Sequence, residues 1–180
     1  MPRFARVTAP FLLTASLFLT SCATGGPPQR VVDLLGGPEA YALIDAPTGD
    51  ARVEAYRILP PHLAGEIPVP PDSIELHGHQ VLAGPVSVDA ESIALLSDVL
   101  TSDGTYEWDM AKACEFMPGV AIRYVQGKLE VDVLLCFSCD EWGFLHAGSL
   151  RVEDNDDARR ALVSLSRVVF PDDEVLRGLK

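Results

Sequence analysis

The sequence predicts an α+β domain: a small antiparallel sheet carrying a C-terminal hairpin, with two main helices packed on one face. Three observations predict it. Residues 52–58 alternate polar and apolar, the period of a half-buried strand. Two apolar-rich runs, 120–125 and 128–137, are joined by Gln126-Gly127. Two other segments repeat apolar residues at helical spacing.

The elements follow in chain order. Arg52–Ile58 is the first strand. Leu59 to Ser73 holds prolines at 60, 61, 68, 70 and 71, which exclude regular structure and predict a surface loop. A second extended stretch covers Ile74–Leu82, with Gly84-Pro85 as a break. Asp89 then caps a helix whose Ile93, Leu96, Val99 and Leu100 line one side, ended by Thr101-Ser102-Asp103-Gly104.

Gln126-Gly127 suits a type I′ turn, and that turn predicts the hairpin register. Arg123 falls opposite Glu130, Ile122 opposite Val131, Val120 opposite Val133 and Tyr124 opposite Leu129. Charge meets opposite charge and apolar meets apolar, as cross-strand pairs require. The last main helix runs from Asp157 to Val169, with Ala158, Ala161, Leu162, Leu165, Val168 and Val169 as its stripe and Pro171 as its stop. A short helical turn follows at Glu174–Leu179. Residues 39–180 suit a single domain, and no internal repeat is present.

The N-terminus carries a different signal. Arg3 and Arg6 precede an apolar stretch from Phe11 to Leu19, too short to span a bilayer, which leads into Leu19-Thr20-Ser21-Cys22. This resembles the lipobox of bacterial lipoprotein signal peptides. The resemblance implies cleavage before Cys22, acylation of Cys22 and anchoring to a lipid bilayer in the cell envelope. Ala23 resembles the sorting signal for the outer membrane, facing the periplasm, where the host has two membranes. Residues 1–21 are then the leader and 22–38 a lipidated N-terminus and flexible tether, reaching about 22 Å, within which Val31-Val32-Asp33-Leu34-Leu35 either packs on the domain or stays mobile.

The formal charge of the chain is −12, and loss of Arg3 and Arg6 with the leader takes it to −14. Such a surface repels phosphate backbones, which excludes nucleic acid as a partner. Part of the acidity has a local use: Asp154, Asp156 and Asp157, and later Asp172, Asp173 and Glu174, stand where helices should begin.

With Cys22 lipidated, Cys114, Cys136 and Cys139 remain. Extending the hairpin register backward sets Cys114 opposite Cys139 and Met117 opposite Cys136, at separations a disulfide accepts. Met117-Pro118-Gly119 can insert a bulge and bring Cys114 to Cys136 instead. A Cys114–Cys139 bridge is worth roughly 3.5 kcal/mol in the chain-entropy model. The first reading is therefore a structural disulfide with one buried thiol. The second is redox chemistry at Cys136-x-x-Cys139 with Cys114 resolving, which makes these three the named catalytic candidates; carboxylates are plentiful, but nothing singles out a glycosidase-like pair. Asp140 and Glu141 oppose a reactive thiolate there, and Gly143 and Gly148 argue against a helix behind the motif. The third is a zinc site of Cys114, Cys136, Cys139 and His146.

Lys112-Ala113-Cys114-Glu115-Phe116-x-Pro118-Gly119, followed by Val133-Leu134-Leu135-Cys136-Phe137-Ser138-Cys139, resembles a group of uncharacterised bacterial proteins. The resemblance extends loosely over residues 74–175, including Phe170-Pro171. It implies a shared domain and supplies no mechanism.

Other candidates are weaker. His77-Gly78-His79 puts two imidazoles on one strand face beside Glu75, but no third metal ligand is identifiable by spacing. His62 carries no signal by itself. Trp108, Trp142 and Phe144 either line a groove or cover the core. No nucleophile elbow, phosphate loop, dinucleotide fingerprint or His-Glu-x-x-His is present, and no cofactor is implied.

Overall fold

The structure is a computed structural model, and it describes residues 26–110 and 112–180. The leader and Cys22 lie outside the described residues. Seven strands form one antiparallel sheet: β1 (Arg52–Ile58), β2 (Glu75–Leu76), β3 (His79–Ser87), β4 (Val120–Gln126), β5 (Leu129–Cys136), β6 (Glu141–His146) and β7 (Ser149–Asp154). Their order is β2-β3-β1-β4-β5-β6-β7, and the sheet curls into a half-barrel. The α+β class holds. The small sheet does not, because β6 and β7 extend it beyond the expected hairpin.

Among the described residues five helices accompany the sheet, rather than two main ones and a short turn: α1 (Gln29–Leu35), α2 (Pro38–Asp45), α3 (Ala90–Thr101), α4 (Arg159–Val169) and α5 (Glu174–Gly178). Alternation along the strands sorts side chains to two faces. Val53, Ala55, Ile122, Tyr124, Val131, Val133, Trp142 and Phe144 meet Leu35, Ile44, Leu96, Leu100, Leu162 and Leu165 of the helices in the main core. Tyr56, Ile58, Ala121 and Leu134 point the other way and pack with Leu76 and Val81 in a smaller cluster beneath β2 and β3. Among the described residues no helix is long and apolar enough to cross a membrane.

Helix α1 shortens the expected tether, because the Val31–Leu35 stretch packs on the domain. Val31 and Leu35 are fully buried, and Gly36 ends the helix in a left-handed conformation with φ 107°. A Cβ on Gly36 would stand 2.9 Å from Cδ2 of His146, so the close packing of α1 against β6 depends on its absence. The packed domain therefore begins at residue 29 rather than 39.

The hairpin forms with a different register. Gln126 pairs with Leu129, and Gly127-Lys128 makes the turn with φ 59° at Gly127, the residue type a II′ turn needs first. Every partner moves by two residues, so faces are kept and pairs change. Arg123 stands opposite Asp132, while its expected partner Glu130 remains 3.2 Å away on the diagonal. Asp89 caps α3 as expected, accepting from the Ser92 N–H at 2.9 Å, and Asp173 caps α5 through Leu176 N–H at 2.8 Å. Asp154, by contrast, is the buried last residue of β7 rather than a helix cap.

Candidate functional site

The cysteines gather where β5 ends, at the turn into β6. Cys136 is the last residue of β5 and is 1 % exposed; its Sγ receives the Met117 N–H at 3.3 Å and lies 3.2 Å from Ser138 Oγ. Residues 137–140 form the turn, closed by Asp140 in a left-handed conformation with φ 55°. Arg159 holds this turn from α4, donating to Phe137 O at 2.6 Å and pairing with the Asp140 carboxylate.

Residues 112–118 cross this end of the sheet without strand pairing. Besides the Met117 N–H bond to Cys136 Sγ, contacts at four points fasten this crossing and its end. Lys112 Nζ donates to Cys139 O at 2.8 Å, and it ion-pairs with buried Asp154 at 2.5 Å and with Asp156. Burial works to lower the Lys112 ammonium, but its bonds to the two aspartates prevail and hold it above the ordinary lysine value. Phe116 lies over Gly143, where a Cβ would come within 2.8 Å of its ring. Gly119 at the end of the crossing is gripped by buried Arg57, which donates to Gly119 O and Ile58 O at 2.6 Å each and pairs with Asp173 at 2.7 Å. The fourth contact is between cysteines. Exposed Cys114 and buried Cys139 lie at disulfide distance, with Cα atoms 6.1 Å apart.

The predicted neighbours thus meet, but not through the predicted ladder. In the observed register Cys114 would align with Glu141; the irregular path through Pro118 returns it to Cys139 instead. Cys136 is a buried free thiol rather than the alternative bridge partner. The Cys136-x-x-Cys139 motif spans a strand-to-strand turn with no helix N-terminus behind it. His146 does not join the cysteines. It stands at the opposite end of six-residue β6, about 17 Å along the strand. There its ring bonds Glu130 O through Nδ1 at 2.9 Å. Glu141, at the cysteine end, is half-buried; burial and then the Asp154 charge push its carboxyl up.

The histidine pair is also rearranged. His77 and Gly78 are the turn between β2 and β3, both left-handed with φ 51° and 81°. His77 Nε2 reaches buried Asp132 at 2.5 Å, while His79 stays half-buried, its imidazole lowered by desolvation. Asp132 and Arg123 went unread as a site, although an acid inside the apolar run 128–137 was a usable signal. Trp142 and Phe144 are core residues around Tyr106, with ring centroids 5.7 and 6.3 Å from it. Trp108 lies beneath the Arg30 guanidinium at 4.6 Å from the ring centre. The proline loop contributes Pro60, His62 and Leu63 to a cavity of about 120 Å³ that Met117, Phe137 and Ser138 share.

No protein-family model, curated protein or solved structure matches this chain.

Proposed function

We propose that the chain is an exported, lipid-anchored domain of the cell envelope whose cysteine cluster is structural. In this reading a Cys114–Cys139 bridge staples the unpaired 112–118 segment to the sheet. The observation that carries it is the 6.1 Å Cα separation of the two cysteines, with Cys136 sealed in the interior beside them. Residues 112–118 have no ladder hydrogen bonds of their own, so a covalent closure has most to offer there; in the chain-entropy model it contributes roughly 3.5 kcal/mol.

The compartment fits. Disulfides persist where the surroundings are oxidising, and Leu19-Thr20-Ser21-Cys22 resembles an export and lipidation signal. The partner is then the bilayer itself, through acylated Cys22, on the periplasmic side of the outer membrane in a host with two membranes. Two or more acyl chains are needed for stable anchoring, since one holds only marginally.

Mass spectrometry of the exported protein, with thiols alkylated before and after reduction, tests both parts. The expected result is one protected pair, Cys114 with Cys139, a single thiol at Cys136, and an N-terminal Cys22 carrying acyl groups. Three free thiols, or a pair that includes Cys136, would sink the staple. A chain that keeps its leader and carries no acyl group would sink the anchor.

A further inference from the structure

Among the described residues two groups of side chains bring three metal-ligating atoms within 4.8 Å of one another: His77, Glu130 and Asp132, and Cys114, Cys139 and Glu141. The first already has its cation. Arg123 Nη2 lies 2.9 Å from Asp132 Oδ2, 3.2 Å from Glu130 and 3.3 Å from His77 Nε2, so a guanidinium nitrogen holds the centre that a metal would need.

The second group has none. Among the described residues Glu141 makes no ion pair and no side-chain hydrogen bond. Lys112, the nearest ammonium, is committed to Asp154 and Asp156. We propose that Cys114, Cys139 and Glu141 form a binding site for a thiophilic divalent cation of the zinc class whenever the two cysteines are reduced. Two thiolates and a carboxylate make a three-donor set for tetrahedral zinc, with the fourth position left to water or another ligand. Thiolates select against calcium and magnesium, which prefer oxygen alone.

The geometry allows the exchange. Two thiolates on one zinc stand roughly 3.8 Å apart, given bonds of about 2.3 Å. Cys139 and Glu141 are held by the turn and by β6, whereas Cys114 is exposed on the unpaired segment, so the opening falls on Cys114. The chemistry balances. A dithiol reductant passes two electrons and two protons to the bridge and becomes a disulfide itself; the cation then displaces both thiol protons. Bridge and metal therefore exclude each other at the same sulfurs. The site rests on the juxtaposition of the cysteines and not on the bridge, so alkylation counts before reduction and metal binding after it fail separately.

Cobalt(II), a spectroscopic stand-in for zinc, is the probe. The full chain in detergent is reduced with a phosphine and titrated without oxygen. The expected result is a thiolate-to-cobalt charge-transfer band saturating at one equivalent. Cys114→Ser should weaken binding by no less than the roughly 10–100-fold that loss of an outer-shell partner costs, and Glu141→Gln should weaken it while keeping the two-thiolate band. Reoxidation of the wild type should abolish the band. Cys114 is exposed, so circular dichroism of Cys114→Ser against the reduced wild type shows whether both are folded. A folded reduced wild type without the band overturns the proposal. So does a band intensity and affinity that Cys114→Ser leaves unchanged, or an affinity that Glu141→Gln leaves unchanged.

Discussion

Arg123 and Asp132 face each other across β4 and β5, with Nε to Oδ1 at 2.8 Å and Nη2 to Oδ2 at 2.9 Å. The aspartate side chain is 2 % exposed and the arginine 20 %, so the acid is the partner that depends on the pair. Hydrogen bonding to Asp132, ahead of burial, sets the Arg123 guanidinium above its ordinary value. Removing one member of a buried pair leaves an uncompensated charge and costs about 3–5 kcal/mol. Arg123→Met should therefore destabilise by about 3 kcal/mol, since His77 remains to bond Asp132. Replacing both residues, Arg123→Met with Asp132→Leu, should recover most of that loss. Urea unfolding of the two singles and the double checks it; a double variant as weak as Arg123→Met would refute the argument.

Arg57 performs a longer-range task. Its 2 % exposed side chain ties β1 to Gly119 and to Asp173 at the start of α5. Arg57→Met leaves the Asp173 carboxylate without its guanidinium and takes the side-chain donor from Ile58 O and from Gly119 O, although Gly119 O keeps the Ile58 N–H at 3.0 Å; the expected loss is about 3–5 kcal/mol. Asp173→Asn keeps the α5 cap but leaves the buried Arg57 charge without its carboxylate, so a comparable loss of about 3–5 kcal/mol is expected. Thermal melts of both variants check it, and a loss of only about 1 kcal/mol in Asp173→Asn would show that the two carbonyls and not the carboxylate compensate the guanidinium.

These two arginines also show what could be read beforehand. Alternating and helical periods located β1, α3, α4 and the β4–β5 hairpin, because each has one face in the core. The hairpin register went wrong by two because Gln126-Gly127 and Gly127-Lys128 are both two-residue loops, and only the observed one puts Gly127 first. Helix α1 was legible only as an apolar stretch between Gly- and Pro-rich segments, and Val31, Leu34 and Leu35 become decisive only once β6 lies beneath them. Strands β6 and β7 were missed because Ala147-Gly148 is an uncommon hairpin turn, with a left-handed alanine at φ 50°. Contacts such as Arg57 with Asp173 join residues far apart in the chain, and no local pattern encodes them. The cysteine pairing emerged from a register that the structure replaces, so the juxtaposition was legible and its cause was not.

Asp89 gives the fold an acid-sensitive cap. It accepts from Ser92 through both the backbone N–H and the hydroxyl, and these bonds hold its carboxyl below the ordinary 3.8. A depressed folded-state value means stability that is fully present above the ordinary carboxylate range and lost as pH falls through the lowered value. Asp89→Asn keeps an acceptor but cannot titrate. The melting temperature of the wild type should exceed that of Asp89→Asn at neutral pH, and the gap should close as the solution is acidified below the ordinary carboxylate value. A gap that stays constant across that window would mean that the charge contributes nothing to the cap.

Two glycines should separate backbone from side-chain crowding. At Gly84, with φ 110°, a Cβ would stand 2.6 Å from Ala55 O, a backbone atom inside β1. At Gly143 the nearest atoms are Phe116 Cζ at 2.8 Å and Leu150 Cδ1 at 2.9 Å, both at the ends of side chains. Phe116 belongs to the unpaired segment and Leu150 is exposed on the edge strand β7, so both can give way. Gly84→Ala is therefore expected to cost about 3 kcal/mol, from the forbidden φ together with displacement of the β1–β3 ladder. Gly143→Ala should cost only about 1 kcal/mol. Its loss should shrink further when combined with Phe116→Leu, because the smaller side chain clears the new methyl. Chemical unfolding of the three variants checks the order. If Gly143→Ala proves the more damaging, the Phe116 ring is held more rigidly than its unpaired backbone implies, and the 112–118 segment is a fixed part of the sheet's second face even before its cysteine is bridged.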